Sequence, residues 1–400
     1  MNGFRKALCI GSLLFAIGLP GGAMADDDDD DHYKGRRADP ALVAARQHFF
    51  GNDNVNARTG RVDKSKVIMS WFGVTSFAVA ARGRVFLMDS YIYRVSLQRA
   101  YVPATVQDLV DLKPEAIFIG HGHSDHADNA AYIAVKTGAT IYGAAEHCVA
   151  MGTDAQRLMT AGHLASAAVK CTALTTPGSL PAAEVSEVTG LKPDLCIKAF
   201  KHLHSGTSPQ TLPFNPINPI RESLTRINAL YPQPLLTPNP YATVSGPSGG
   251  GAVSIMYLFT VKDSGFTFLW HNTGGALPDF APQVMPLLED LPKVDVELGS
   301  MVSLGESTNG VRDVATYINL VKPKIFVGNH TDNFNIGASM FYQQALERQF
   351  GIINMPVADR PELRMMHDPY SYVQPALLTF DHKDDIWRER PSGKRRAHCH

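Results

Sequence analysis

Residues 120–129 read GHGHSDHADN and place three histidines and two acids within eight positions. The residues before them, TVQDLVDLKPEAIFIGH (105–121), predict a short helix that ends before Pro114 and a buried strand over 116–119. The residues after them predict a helix over 127–136 and a short strand over 139–142. The motif therefore falls at the C-terminal end of a strand, where open sheets place their chemistry. In an extended segment residues i and i+2 point to one side, so His121 and His123 address one ion together. Asp125 and His126 lie past the strand end, on the turn into a helix, and address a second position nearby. Imidazole and carboxylate suit Zn, and also Fe or Mn.

Working outward, VIMSWFGVTSFAVAARGRVFLMDSY (67–91) alternates apolar residues, breaks at Arg82-Gly83 and resumes to Asp89. It predicts two antiparallel strands joined by a tight turn. Further strands are expected over 194–203, 252–262, 266–271, 294–298 and 324–328, with a helix near 310–320. Two similar halves of strands and helices point to one layered domain.

HGHSDH resembles the HxHxDH signature of the metallo-β-lactamase superfamily. The resemblance runs from about Val67 to Asn333 and rests on several motifs. It implies an α/β fold, a four-layer αββα sandwich of two mixed sheets flanked by helices. WFGVTSFAVAARGRVFLMDS is similar to the opening hairpin that ends in an aspartate behind the ligands, here Asp89, whose carboxylate would accept a hydrogen bond from a ligand histidine and fix its tautomer. The next ligand follows a strand, where KHLHSG offers His204, with His202 either supporting it from behind or as the alternative ligand. The last ligand follows KPKIFVGNH, which puts His330 in place. The metal set so implied is His121, His123, Asp125, His126, His204, His330 and the residue at 272.

That residue departs from the pattern. The family usually has a Gly-Asp-Thr whose aspartate bridges two metals; this chain reads TFLWHNTGG, with Asn272 at the aspartate and His271 at the glycine. A neutral amide is a weaker ligand than a carboxylate and does less to offset the repulsion of two cations. One well-filled ion or an unequal pair is therefore expected ahead of a balanced pair. His271 as an extra ligand and Asp279 reaching back are the alternatives.

A metal held by neutral histidines with an open position makes bound water acidic enough to yield hydroxide near neutral pH, and that hydroxide attacks carbonyl carbon or phosphorus. Asp125 is read as the catalytic residue, both ligand and orienter of the attacking water. HxHxDHxD with Asp128, the WFGVTSF opening and the KPKIFVGNH ending resemble the branch of sugar-lactone hydrolases and phospholipase-D-like enzymes acting on N-acyl phospholipids. The expected activity is hydrolysis of an ester, lactone or phosphodiester. The rivals are a non-catalytic metal or ligand binder on the same fold and a β-lactam hydrolase.

The rest of the chain bounds this reading. Residues 1–25, MNGFRKALCIGSLLFAIGLPGGAMA, read as a signal peptide: Arg5 and Lys6, an apolar stretch too short for a stable span, and Ala23-Met24-Ala25 as cleavage site. A periplasmic or secreted protein, with no transmembrane segment after cleavage, is expected. Without Arg5 and Lys6 the chain carries 35 bases against 38 acids, net −3, and offers no electrostatic case for nucleic acid. Residues 26–64 are an acidic tail, six aspartates over 26–31, and a loosely packed lead-in with a short helix near 41–49. The hydrolase domain is placed over 65–380. Within it the Pro-rich insertion 205–251, with Phe214, Tyr231, Leu235, Leu236 and Tyr241, is expected to form a partly ordered flap and hints at a partly apolar small-molecule substrate. Residues 381–400 are expected to be a C-terminal tail, with His398-Cys399-His400 fraying. Export permits disulfides, and one bridge is expected among Cys148, Cys171 and Cys196. His147 is expected at the surface.

Overall fold

The computed structural model describes residues 37–92, 104–206, 251–301, 309–332, 339–367, 370–388 and 394–399. The signal-peptide and aspartate segments, and nearly all of the Pro-rich insertion with its five large apolar residues, lie outside the described residues.

In chain order the elements are α1 (Pro40–Phe50), β1 (Lys66–Gly73), β2 (Ser76–Ala81), β3 (Arg84–Met88), α2 (Val106–Asp111), β4 (Ala116–Phe118), α3 (Ser124–Ala127), α4 (Ala130–Thr137), β5 (Thr140–Gly143), α5 (Ala145–Thr160), β6 (Lys170–Ala173), β7 (Val185–Val188) and β8 (Leu195–His202). There follow β9 (Ser254–Val261), β10 (Thr267–His271), α6 (Leu277–Phe280), α7 (Val284–Glu289), β11 (Val296–Ser300), α8 (Arg312–Val321), β12 (Ile325–Asn329), α9 (Ser339–Ile352), β13 (Glu362–Met365) and β14 (Thr379–Asp381).

Among the described residues the strands form two seven-stranded sheets, ordered β14-β1-β2-β3-β4-β5-β6 and β13-β12-β11-β10-β9-β8-β7. Each sheet is mixed in the same way. In the first, β14 to β3 pair antiparallel and β3 to β6 parallel. In the second, β7 to β10 pair antiparallel and β10 to β13 parallel.

The alternation along β1–β3 divides two cores rather than core and solvent. Val67, Met69, Trp71, Phe77, Val79, Phe86 and Met88 face the other sheet, where they meet Tyr257, Phe259, Phe268 and Trp270. Phe86 stacks on Phe259 with ring centroids 5.4 Å apart. Ile68, Phe72, Ala78, Ala80, Val85 and Leu87 face outward and are covered by Phe49 and Phe50 of α1, Leu109 of α2, Ile133 of α4 and Met151 of α5. The second sheet is covered in the same manner by α6, α7, α8 and α9. Helix, sheet, sheet and helix make the four-layer αββα sandwich that was expected.

Several expectations need correction. The opening segment makes three strands, because Gly73 and Val74 take positive φ of 140° and 48° and turn the chain between β1 and β2. The helix expected over 127–136 is broken at Asn129, whose φ is 73°, so α3 and α4 are separate. The lead-in is not loosely packed: Phe49 and Phe50 are fully buried, and Val55 bridges Val62. Residues 394–399, part of the tail expected to fray, are held in place. Cys399 is bonded to Cys196 and the Lys394 ammonium reaches the carbonyls of Glu289 and Leu320 at 2.6 and 3.2 Å. Cys148 is joined to Cys171, the one bridge expected among Cys148, Cys171 and Cys196, and the Cys196–Cys399 bridge is additional to it. His147 is buried rather than exposed. No helix among the described residues is long and apolar enough to cross a membrane.

Candidate metal centre

The centre lies where the C-terminal ends of β3, β4, β8, β10 and β12 meet. Gly120 leaves β4 and lets the chain pass within van der Waals range of Asn272: a Cβ there would lie 2.2 Å from the Asn272 Cγ. His121 and His123 follow, His123 with extended backbone, and α3 begins immediately after it. That short helix turns Asp125 and His126 back toward the sheet end. His204 arrives just past β8 and His330 just past β12, the latter with φ of 61° and its N–H on the Val74 carbonyl at 2.8 Å.

The donor atoms fall into two groups. His121 and His204 bring their Nε2 atoms to 3.3 Å, and His123 completes a triad with them whose ligand atoms lie within 4.8 Å of one another. His126 and His330 bring their Nε2 atoms to 3.2 Å, and Asp125 Oδ2 lies 3.6 and 3.7 Å from those two nitrogens. A tetrahedral zinc with Zn–N near 2.0–2.1 Å separates its ligand nitrogens by about 3.3 Å. The Nε2 separations of 3.3 Å for His121–His204 and 3.2 Å for His126–His330 fit such an ion, and His121 also lies within 4.8 Å of the Asp125 and His126 ligand atoms.

Protonation fits as well. Burial pushes the His204 and His330 imidazoles down to about 4, and drives His121 well below its ordinary value, so these rings keep free lone pairs in neutral solution. Burial also lowers His123, against the opposing pull of Asp125. For Asp125 burial acts upward, but the facing His126, His330 and His123 outweigh it and hold the carboxyl below its usual range. For His126 burial acts downward and the carboxylates of Asp125 and Asp89 reverse it.

Behind the donors is a hydrogen-bonded floor. Asp89 Oδ2 lies 2.8 Å from His126 Nδ1 and accepts from the Thr75 hydroxyl at 2.7 Å, while Oδ1 accepts the Gly120 N–H at 3.1 Å. Asn272 does not join the donors. Its Oδ1 lies 2.8 Å from His121 Nδ1 and its Nδ2 donates to Asp89 Oδ2 at 2.8 Å. Both polar atoms of the residue expected among the ligands are thus committed behind them.

The two alternative histidines are also turned away. His271 Nδ1 lies 2.9 Å from the Thr273 carbonyl and Nε2 2.9 Å from Glu297 Oε1. His202 Nδ1 lies 3.2 Å from the Tyr317 hydroxyl, and burial holds its imidazole well below the ordinary value. Asp279 is held by Arg312 at 2.6 Å and does not reach back. Between His202 and His204 the geometry selects His204.

Sequence reading missed the supporting residues. Thr75 sits in the turn that splits the opening strands, and a break in apolar alternation at 74–75 was its signal. Thr273 accepts the Ser205 N–H at 3.0 Å, and the Ser205 carbonyl lies 2.6 Å from His204 Nδ1. Asp332 accepts the Val74 N–H at 3.0 Å and so anchors the loop that holds His330. Thr273 stands at the threonine of the Gly-Asp-Thr pattern, but its partner Ser205 is remote in sequence, and no pattern in the chain marks Asp332.

A two-sheet αββα sandwich with a histidine-rich, two-part donor cluster at its strand ends defines a class able to hold one or two metal ions. No family model matches the chain. Over 78 residues it is 37% identical to a UPF0173 metal-dependent hydrolase of Pyrobaculum aerophilum, which covers 20% of this chain and 32% of that protein. The chain thus spans about a third of the length of the curated relatives it matches. Among solved structures it is similar to Igni18, a metallo hydrolase of Ignicoccus hospitalis, at 18% identity and TM-score 0.44, covering 76% of this chain and 95% of that one. It is also similar to the metallo-beta-lactamase fold protein YhfI of Bacillus subtilis, at 10% identity and TM-score 0.41, covering 79% and 98%.

Proposed function

We propose that the chain is an exported metal-dependent hydrolase acting on an ester, lactone or phosphodiester. The observation that carries this reading is the donor cluster: His121, His123 and His204 bring ligand atoms within 4.8 Å of one another, as do His121, Asp125 and His126, and His330 Nε2 lies 3.2 Å from His126 Nε2 and 3.7 Å from Asp125 Oδ2. Zinc is the ion proposed, with iron or manganese as alternatives. When bound, such an ion supplies acidified water and polarises a carbonyl or phosphoryl oxygen.

The protein's own residues do the rest. Asp125 presents Oδ2 between His126 and His330, where it orients water and receives its proton. Asp89 holds His126 from behind, so that Nε2 faces the centre. The Ser205 carbonyl does the same for His204. Among the described residues near the donors none forms the serine or cysteine nucleophile arrangement that would bypass water. Localisation outside the cytosol is favoured by the disulfides Cys148–Cys171 and Cys196–Cys399, which persist in oxidising compartments.

The test is a panel of carboxylic esters, lactones, phosphodiesters and a β-lactam, with zinc-replete protein and with His123→Ala. The reading requires turnover of an ester, lactone or phosphodiester and a fall of at least 100-fold in the variant. Turnover of the β-lactam alone would move the protein to that class. Inertness on every arm, with His123→Ala altering only stability, would make it a non-catalytic metal binder.

A further inference from the structure

The Asn272 amide has one orientation that its surroundings permit. Asp89 Oδ2 lies 2.8 Å from one end, and an ionised carboxylate only accepts hydrogen bonds, so that end is the NH2 group. The other end, 2.8 Å from His121 Nδ1, is then the carbonyl, which only accepts. His121 must supply the proton there. Its tautomer is Nδ1–H, and Nε2 carries the free lone pair that faces His204 at 3.3 Å. The same reasoning applies to His126, whose Nδ1 is 2.8 Å from the same Asp89 oxygen.

Asn272 thus links the rear of His121 to Asp89, which holds the rear of His126, while in front His121 pairs with His204 and His126 with His330. Gly120 makes the link possible, since any side chain at 120 would occupy the space of the amide. A carboxylate at 272 would bring a second acidic group against Asp89 Oδ2 in place of the amide N–H donor, and without a metal one of the two would have to take up a proton.

From this we infer that Asn272 is a positioning residue: a hydrogen-bond bridge behind both donor groups that fixes the His121 tautomer and joins it to the Asp89–His126 pair. It takes the place that a metal-bridging carboxylate would fill by coordination. The inference rests on the metal-holding part of the proposed function and not on hydrolysis. It accounts for an amide at 272 by the neighbouring Asp89 rather than by lost activity.

The test begins with metal-free protein and ring-15N spectroscopy of its histidines, which reads the tautomer without metal or substrate. Its failure is therefore separate from failure of the hydrolysis panel. His121 and His126 are both expected as Nδ1–H. An Nε2–H tautomer at His121 in the wild type would overturn the inference, and this measurement needs no variant. In Asn272→Ala, His121 is expected to populate both tautomers while His147, remote from the bridge, keeps its own. Zinc affinity, read by competition with a chromophoric chelator, is expected to fall 10- to 100-fold. In Asn272→Asp zinc affinity is expected to fall as well, because the Asp89 contact is lost. Tighter zinc binding by Asn272→Asp, with the His121 tautomer unmoved in Asn272→Ala, would make residue 272 a direct ligand position and overturn the inference.

Discussion

His147 Nε2 lies 2.9 Å from the carbonyl of Val253, while its Nδ1 accepts the Ala144 N–H at 3.1 Å. One neutral imidazole therefore caps the first turn of α5 and holds the segment entering β9. That segment is bonded to the metal motif on both sides: Gly122 N–H donates to the Gly251 carbonyl at 3.0 Å, and Ile255 N–H to the Gly120 carbonyl at 2.7 Å. Removing the ring leaves a buried N–H and a buried carbonyl without partners. His147→Ala is expected to cost about 2–4 kcal/mol, as two unsatisfied groups at about 1–3 kcal/mol each, partly relieved by water. Urea unfolding checks it, and an unchanged midpoint would refute the coupling. His147→Asn keeps an acceptor near Nδ1 and is expected to recover the helix cap but not the Val253 contact.

Two glycines give opposite expectations for the same substitution. A Cβ at Gly120 would lie 2.2 Å from Asn272 Cγ, and the amide is held by Asp89 and His121 and has nowhere to move. Gly120→Ala is expected to destabilise by roughly 1–3 kcal/mol, the scale of overpacking, and to weaken zinc binding. Gly152 lies within α5, and a Cβ there meets nothing within 4 Å. Gly152→Ala is expected to stabilise by roughly 0.5–1 kcal/mol through helix propensity. Paired thermal melts with zinc titration decide both, and the reading fails if the two variants shift in the same direction.

These residues also mark how far the chain could be read in advance. The donors on local motifs were legible, because spacing of two along an extended segment and a strand-end position are properties of neighbouring residues. The four layers were legible from the strand and helix order together with the motif resemblance. What escaped was set by contacts distant in sequence. His147 was expected at the surface because nothing near it announces Val253, 106 residues away. Asn272 was expected among the ligands because its position in the motif order says nothing of Asp89, 183 residues away, which turns the amide around. The split between β1 and β2 was missed because its cause, positive φ at Val74, is secured by Asp332 from 258 residues on.

Stability should depend on pH in a defined direction. Burial lowers His204 and His330 from the ordinary 6.5 to about 4 in the folded, metal-free chain. Between those values the unfolded chain binds more protons than the folded one, so stability rises with pH. The contribution of these two rings is expected to be complete above about pH 6.5, to be lost progressively down to about pH 4, and to change no further below that, while His126, raised by Asp125 and Asp89, acts in the opposite sense only as pH climbs above its ordinary 6.5. Zinc binds the folded form and adds stability by mass action, so the acid limb should steepen as protons displace the ion. Denaturant midpoints across pH 4–7, with and without a chelator, test this. A metal-free midpoint flat over that window would contradict the burial of the two rings.

The Cys196–Cys399 bridge should separate stability from metal binding. It closes a separation of 203 residues and works beside the Lys394 ammonium on the Glu289 carbonyl and the Lys293 N–H on the Arg395 carbonyl at 2.8 Å. Cys196 lies at the start of β8, whereas His204 lies beyond its end, and eight residues of strand span about 26 Å at the usual rise. Cys399→Ser is therefore expected to lower stability by about 2–4 kcal/mol, the typical contribution of a disulfide, and to leave zinc affinity within about twofold. The Cys148–Cys171 bridge gives the contrast. Cys148 follows His147 directly in α5, so Cys148→Ser with Cys171→Ser is expected to loosen the cap and the Val253 contact and to lower zinc affinity as well as stability. Calorimetry alongside chelator competition reads both quantities on each variant. Loss of zinc affinity in Cys399→Ser, or its retention in the Cys148/Cys171 pair, would show that the centre is supported from the other side of the sheet.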